Sequence, residues 1–222
     1  MRASKAFTHG IWLMLAVGLA ATHGAWADAP NPDISNPSQL VQDVAQNFLV
    51  DLQKNRDLYR KDPQALRQLV EKDLFPYFDT PYAARLVLGR HVRTITPEQR
   101  QAFVKAFENS MLNNYGRALV EFQPNRLTVL PSKVEPGETT AIVRTEIHKD
   151  DGTSVSVEYA LHRTAGGWKA WDVIIQGISY VKSFRDDFGA QIDQQGIDAV
   201  IKRLQSGEKP ADIAKQTTGS GQ

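Results

Sequence analysis

Asp172 is the sole acid in the stretch GGWKAWDVIIQGISYV, residues 166–181, where two tryptophans and a run of branched aliphatics surround it. A carboxylate in such company serves as a general base if an apolar pocket raises its pKa and a polar partner holds the substrate. Other polar candidates are sparse. His91, His148 and His162 are isolated, and none stands at metal-ligand spacing with another histidine or a carboxylate. They are expected at the surface or at sheet edges. Ser179 has no nearby histidine to activate it, so helix capping is its expected job. Arg90, Arg93 and Arg100, in and just before RTITPEQRQ, offer guanidinium groups to a phosphate or simply solvate a helix start. No nucleophile elbow, P-loop or dinucleotide fingerprint occurs in the sequence.

Whether Asp172 meets a substrate depends on the strand that carries it. After Pro124 the apolar residues recur at period two. Val143, Thr145 and Ile147 alternate with Arg144, Glu146 and His148, and Val155, Val157, Tyr159 and Leu161 alternate with Ser154, Ser156, Glu158 and Ala160. Asp150-Asp151-Gly152 and Ala165-Gly166-Gly167 mark two hairpin turns, and loop length sets the register. A three-residue loop ending in a left-handed glycine pairs Ile147 with Val155 and Val143 with Tyr159. The same choice at the second turn pairs Leu161 with Trp171 and Tyr159 with Val173. One face then carries Val143, Ile147, Val155, Val157, Tyr159, Leu161, Trp171, Val173 and Ile175. Asp172 falls on the opposite face, where it is expected as an outer carboxylate paired with Arg163 or Arg144.

Helices precede and follow the sheet. Ser38 is expected to cap a helix to about Asn55, with Leu40, Val44, Phe48 and Leu52 on one face. Asp62-Pro63 supplies a cap and an N1 proline for a second helix. Pro81 and Gly89 bracket a short helix from Tyr82 to Leu88, the candidate lid. Thr96-Pro97-Glu98-Gln99 combines a capping threonine, an N1 proline and a glutamine at N3. The long helix it opens carries a stripe of Phe103, Phe107, Met111, Tyr115, Leu119 and Phe122. Ile178, Val181, Phe184 and Phe188 lead into a helix ending near Gly196, and a last helix holds Ile197, Val200, Ile201 and Leu204. This order predicts an α+β fold, with helices wrapped on one face of a strongly twisted antiparallel sheet of about four strands. Such a sheet wrapped by a long helix forms a cone that can stay open at its wide end.

Residues 1–27 read as a secretory signal peptide, with Arg2 and Lys5 ahead of an apolar stretch and a cleavage pattern ending at Ala27. Its removal takes two cations and no acid, turning the formal charge from +1 to −1. A near-neutral chain argues against bulk nucleic-acid binding. There is no cysteine, so neither disulfides nor thioether lipid anchoring is available. Residues 28–37 read as a disordered leader, 38–207 as a single domain and 208–222 as a flexible tail. The expected location is a bacterial periplasm.

Four blocks, PYAARLVLGRHVRTITPEQRQAF, YGRAL, WKAWDVIIQGIS and GIDAVIKRL, resemble the MlaC family, also called the toluene-tolerance family, across residues 37–206. The resemblance implies a fold related to nuclear transport factor 2 with a deep apolar cavity. It also implies a non-enzymatic, cofactor-free phospholipid carrier. Its partners would be an outer-membrane lipoprotein–porin complex and an inner-membrane ABC-transporter complex, between which it shuttles lipid to maintain outer-membrane asymmetry. The lining residues expected for acyl tails are Tyr82, Val87, Phe103, Phe107, Met111, Tyr115 and Leu119 from the helices. Facing them are Val143, Val157, Tyr159, Val173 and Ile175 from the sheet, with Val181 and Phe184 from the closing helix. Arg90 and Arg93 are expected at the head group or at a partner. The alternative is an isomerase or hydrolase that uses Asp172 in the same cone.

Overall fold

A computed structural model describes residues 31–121, 123, 126–132, 134, 135 and 137–207. The expected signal segment, the first residues of the leader, Phe122 and the tail from 208 lie outside these. The helices are α1 (Pro37–Lys54), α2 (Arg56–Lys61), α3 (Pro63–Asp73), α4 (Thr80–Leu88), α5 (Pro97–Val120), α6 (Tyr180–Gln195) and α7 (Ile197–Gln205). Between α5 and α6 run β1 (Leu127–Val129), β2 (Thr140–His148), β3 (Ser154–Thr164), β4 (Gly167–Ile175) and β5 (Ile178–Ser179). Short 3₁₀ turns at Phe75–Tyr77 and Gly89–Arg93 flank α4. The fold is α+β, with five strands among the described residues where about four are expected.

Local chemistry sets most helix starts. Asp62 accepts from the amides of Gln64 and Ala65, with Pro63 behind it. Thr96 and Gln99 form a reciprocal capping box at the head of α5. At α1 the cap is Asn36 rather than Ser38: its side-chain oxygen accepts from the amides of Ser38 and Gln39, and Pro37 takes the first helical position. Asp79, not the expected Tyr82, opens α4, so that helix includes Thr80 and Pro81.

The sheet is a meander in the order β1-β2-β3-β4-β5, every pair antiparallel. The first hairpin has the expected register, with Ile147 opposite Val155, Val143 opposite Tyr159, and Gly152 at φ +79°. The second closes more tightly, pairing Thr164 with Gly167. A bulge then restores the expected pairing of Tyr159 with Val173, because β4 passes from Asp172, opposite Ala160, to Ala170, opposite Leu161. Trp171 is the extra residue. Leu161 therefore faces Ala170 and not Trp171, since a bulge turns one side chain out of the alternation.

That bulge redistributes the two faces. Val143, Leu161 and Trp168 pack beneath Leu40 and Val41 of α1, with Tyr159 and Ala170 alongside. Trp171, Ile178 and Tyr180 join a helical cluster built by α4, α5, α6 and α7. The sheet is thus covered from both sides, by α1 on one and by α4 and α6 along β4 on the other, where the sequence suggested one. A third cluster joins α1 and α3 to the C-terminal half of α5 through Phe48, Leu52, Leu66, Leu69 and Val120. Among the described residues, no helix is long and apolar enough to cross a membrane.

Candidate functional site

Register decides which side chains can meet a common ligand. Val143 lies opposite Tyr159, Tyr159 opposite Val173, and Val157 opposite Ile175. Facing residues of adjacent strands project to the same side, so these five expected lining residues share one face. Ile147 and Val155 extend it and are half-buried.

The helical residues divide. Val87, Phe103, Phe107, Val181 and Phe184 belong to the four-helix cluster, with Met111 and Tyr115 packed at its border. Phe103 stacks on Phe107 at 5.9 Å, and Phe107 meets Phe184 edge-on at 5.4 Å. Leu119 packs against the α1–α3 cluster instead. Tyr82 is engaged by the rings of His162 and Trp171, 4.4 and 5.7 Å away. The α5 stripe therefore does not oppose the sheet along its length, since each half serves a different helical cluster. Nor is α4 laid over the fold as a lid: Ala83, Ala84, Val87 and Leu88 are all buried within the core.

Exposure separates the set again. Val87, Phe103, Phe107, Val143, Val157, Val181 and Phe184 are covered by protein atoms. Tyr82, Met111, Tyr115, Leu119, Tyr159, Val173 and Ile175 keep accessible surface, which a ligand can touch without displacing protein. Tyr159 combines two properties rarely found together. Burial raises its phenol pKa above the ordinary value of 10, with the neighbouring Thr145 hydroxyl pulling the other way. Yet the residue is only half-buried by accessible surface. Tyr159 is thus largely desolvated while keeping part of its surface accessible.

Asp172 is not an outer carboxylate. It is 3% exposed, because the face opposite Tyr159 is covered by α6. One carboxylate oxygen accepts from the Val181 amide at 3.0 Å, and the other accepts from the Ser179 hydroxyl. The Ser179 hydroxyl oxygen in turn accepts from the Lys182 amide at 3.0 Å, capping α6 as expected. Both carboxylate oxygens are committed to the positive end of a helix, and the residue lies across the sheet from Tyr159. Its expected arginine partners are elsewhere: Arg144 pairs with Glu158, and Arg163 lies over the Trp168 ring at 4.9 Å. Trp168, which sequence reasoning had not placed on either face, is sealed beneath α1. The only signal for it was the bulge, which has no sequence signature of its own.

The three histidines make structural contacts, and the arginines differ among themselves. His162 meets the Asp79 carboxylate at 3.0 Å, tying β3 to the start of α4. His148 lies between the hydroxyls of Thr128 and Ser154. His91 is 3.6 Å from Asp193, which Arg90 also engages. Arg93 is exposed, and the Arg100 guanidinium donates to the Val92 carbonyl at 3.1 Å. Among the described residues, no group of three or more metal-ligating side chains converges.

The sequence profile of the MlaC protein family matches residues 42–206. The chain belongs to the MlaC family. It is 32% identical over 163 residues to toluene tolerance protein ttg2D of Pseudomonas putida, covering 73% of this chain and 75% of that one. It is 29% identical over 175 residues to the intermembrane phospholipid transport system binding protein MlaC of Haemophilus influenzae, covering 77% and 81% respectively. A phospholipid-binding protein from Ralstonia solanacearum, solved in complex with a phospholipid, superposes with a TM-score of 0.70 at 23% identity. That match covers 78% of this chain and 96% of the other. This MlaC-family chain therefore shares its α+β fold with that protein.

Proposed function

We propose that this protein is a periplasmic phospholipid carrier. It shields acyl chains against the apolar face around Tyr159 and shuttles lipid between outer- and inner-membrane complexes to maintain outer-membrane lipid asymmetry. The observation that carries this reading is a sheet face of Tyr159, Val173, Ile175, Ile147 and Val155 that keeps accessible apolar surface in a chain of this family. Names borne by its relatives, a phospholipid transport binding protein and a phospholipid-bound neighbour, support the choice of ligand.

Physical chemistry demands such a carrier. A sixteen-carbon tail has about fifteen carbons beyond its carboxyl, and at about 0.8 kcal/mol each its exposure to water costs about 12 kcal/mol. Two tails double the penalty, so free lipid does not cross an aqueous compartment unaided. Tails require no directional chemistry, which fits a face of Val, Ile and Tyr, with Asp172 on the other side of the sheet used as a cap. Delivery in one direction requires each membrane partner to favour a different state of the carrier. Arg90 and Arg93 supply guanidinium groups for a head group or for such a partner. Export would follow cleavage after Ala27, leaving residues 38–207 as the lipid-binding domain.

Native mass spectrometry of protein purified without detergent tests the proposal. One or more phospholipids should accompany the folded chain and disappear on delipidation. Folded protein at its bare mass, with no extractable lipid, would overturn it.

A further inference from the structure

From Thr80 to Pro97 the sequence holds no acidic residue, although Arg85, Arg90, His91 and Arg93 all fall within it. The fold adds to this run. Arg185 of α6 lays its stem across Gly89, where a Cβ would sit 3.4 Å from the arginine Cδ. Arg100 of α5 donates to the Val92 carbonyl at 3.1 Å. Arg90, Arg93, Arg100 and Arg185 thus converge on the turn Gly89–Arg93, and all of them are exposed. Asp193 engages Arg90 and lies 3.6 Å from His91, and Asp186 lies 3.6 Å from Arg185. Among the described residues, neither Arg93 nor Arg100 pairs with a carboxylate. The result is a local surplus of cation on a chain whose formal charge is close to zero.

These segments pack on the side of the sheet away from Tyr159. The arginines are therefore badly placed for the head group of a lipid resting on that face. A bare anionic membrane is a poor match too, because surface binding couples cations to inserted apolar side chains. Among the described residues, the exposed large apolar side chains are Ile34, Val50, Leu58 and Ile142, all on other elements. Guanidinium forks instead match carboxylates two oxygens at a time. Resting on the carrier reading above, we infer that this turn is the docking surface for a partner protein presenting clustered Asp and Glu carboxylates. Complementary charge at an exposed rim raises the rate of encounter more than the lifetime of the complex. A carrier that must leave one partner to reach the next gains from fast arrival and easy release.

The test places a photo-cross-linking residue at Thr94, exposed beside Arg93, in the full chain in living cells. The same residue at Ile142 is the comparison. The Thr94 adduct should map to a protein segment holding clustered acids. A lipid adduct, a segment without acids, or a yield no greater than at Ile142 would overturn the inference. Association of the purified chain with the captured partner should slow about tenfold between about 50 and about 500 mM salt. Arg93→Glu and Arg185→Glu should each slow it about three- to tenfold at the lower salt, and a native rate in either refutes the docking surface. Arg185→Glu should keep its bound lipid by native mass spectrometry. A folded variant that loads none would assign these arginines to a head group and refute the inference. Native protein without lipid would overturn the carrier reading, whereas the cross-link decides the docking surface by itself.

Discussion

Replacing Asp172 by asparagine removes one charge and one acceptor at the junction of β4 and α6. In the native chain its two oxygens receive the Val181 amide and the Ser179 hydroxyl. The Ser179 oxygen is already occupied as an acceptor by the Lys182 amide, so its proton is what it has to give. An asparagine can satisfy one of the two donors, and its amide nitrogen must confront the other. A hydrogen bond to a charged acceptor contributes about 1.5–3 kcal/mol, and a carboxylate at a helix N-terminus adds about 0.3–1 kcal/mol. The expected loss is about 2–3 kcal/mol, which at about 2–4 °C per kcal/mol for a domain of this size lowers Tm by about 4–12 °C. Thermal melting by circular dichroism reads this directly, and lipid content per folded molecule, measured on the same sample, should match the parent. A variant that melts within about 1 °C of the parent would refute the capping role. One that stays folded but loses its lipid would place Asp172 in the binding site after all.

Asp73 offers the opposite outcome. Its carboxyl is 10% exposed, one oxygen has no partner, and burial raises its pKa above 3.8 despite Lys72 at 3.4 Å. A raised folded-state pKa means that protonation favours the fold, a benefit present in acid and lost as pH rises through the folded value. Asp73→Asn should therefore be more stable than the parent at neutral pH, by about 1 kcal/mol, with the advantage shrinking as pH falls towards 3.8. Denaturant melts across that range check it. Gly167 has φ +100°, and a Cβ there would lie 2.7 Å from both the Cβ and the carbonyl oxygen of Ile34. Gly167→Ala should cost about 2–4 kcal/mol and speed hydrogen exchange at the Trp168 amide, which bonds the Ile34 carbonyl at 2.9 Å. Val157→Trp places a large side chain on the proposed lipid-facing sheet. Bound lipid per folded molecule should fall, with about 1–3 kcal/mol of destabilisation; unchanged lipid content would count against this face.

The features legible in the sequence are those decided within a few residues. Asp62-Pro63, the Thr96–Gln99 box and the Ser179 cap announce themselves because a side chain bonds an amide two or three positions on. The loop at Asp150–Gly152 is readable for the same reason, and with it the pairing of Val143 with Tyr159. Features set by distant packing were not legible. The bulge at Trp171 exists where β4 meets the helices, and its effect on Leu161 and Trp168 follows from that meeting. Periodicity correctly put Asp172 across the sheet from Tyr159 but could not reveal that α6 buries that side. The α5 stripe was visible as an apolar face, whereas its division between two clusters depends on where α3, α6 and α7 return.

The helical core also has a temporal consequence. It joins Ala83 to Phe107 with Val181 to Leu204, so its two halves are separated by the entire meander. A polypeptide emerging head-first can zip β2, β3 and β4 in succession, each onto its predecessor. The aromatic centre around Phe103 and Phe188 must nevertheless wait for α6, and its enclosure by Val200 and Leu204 must wait for the last helix. Truncation after Gln195 removes α7 and should leave that centre uncovered, seen as loss of a cooperative thermal melt.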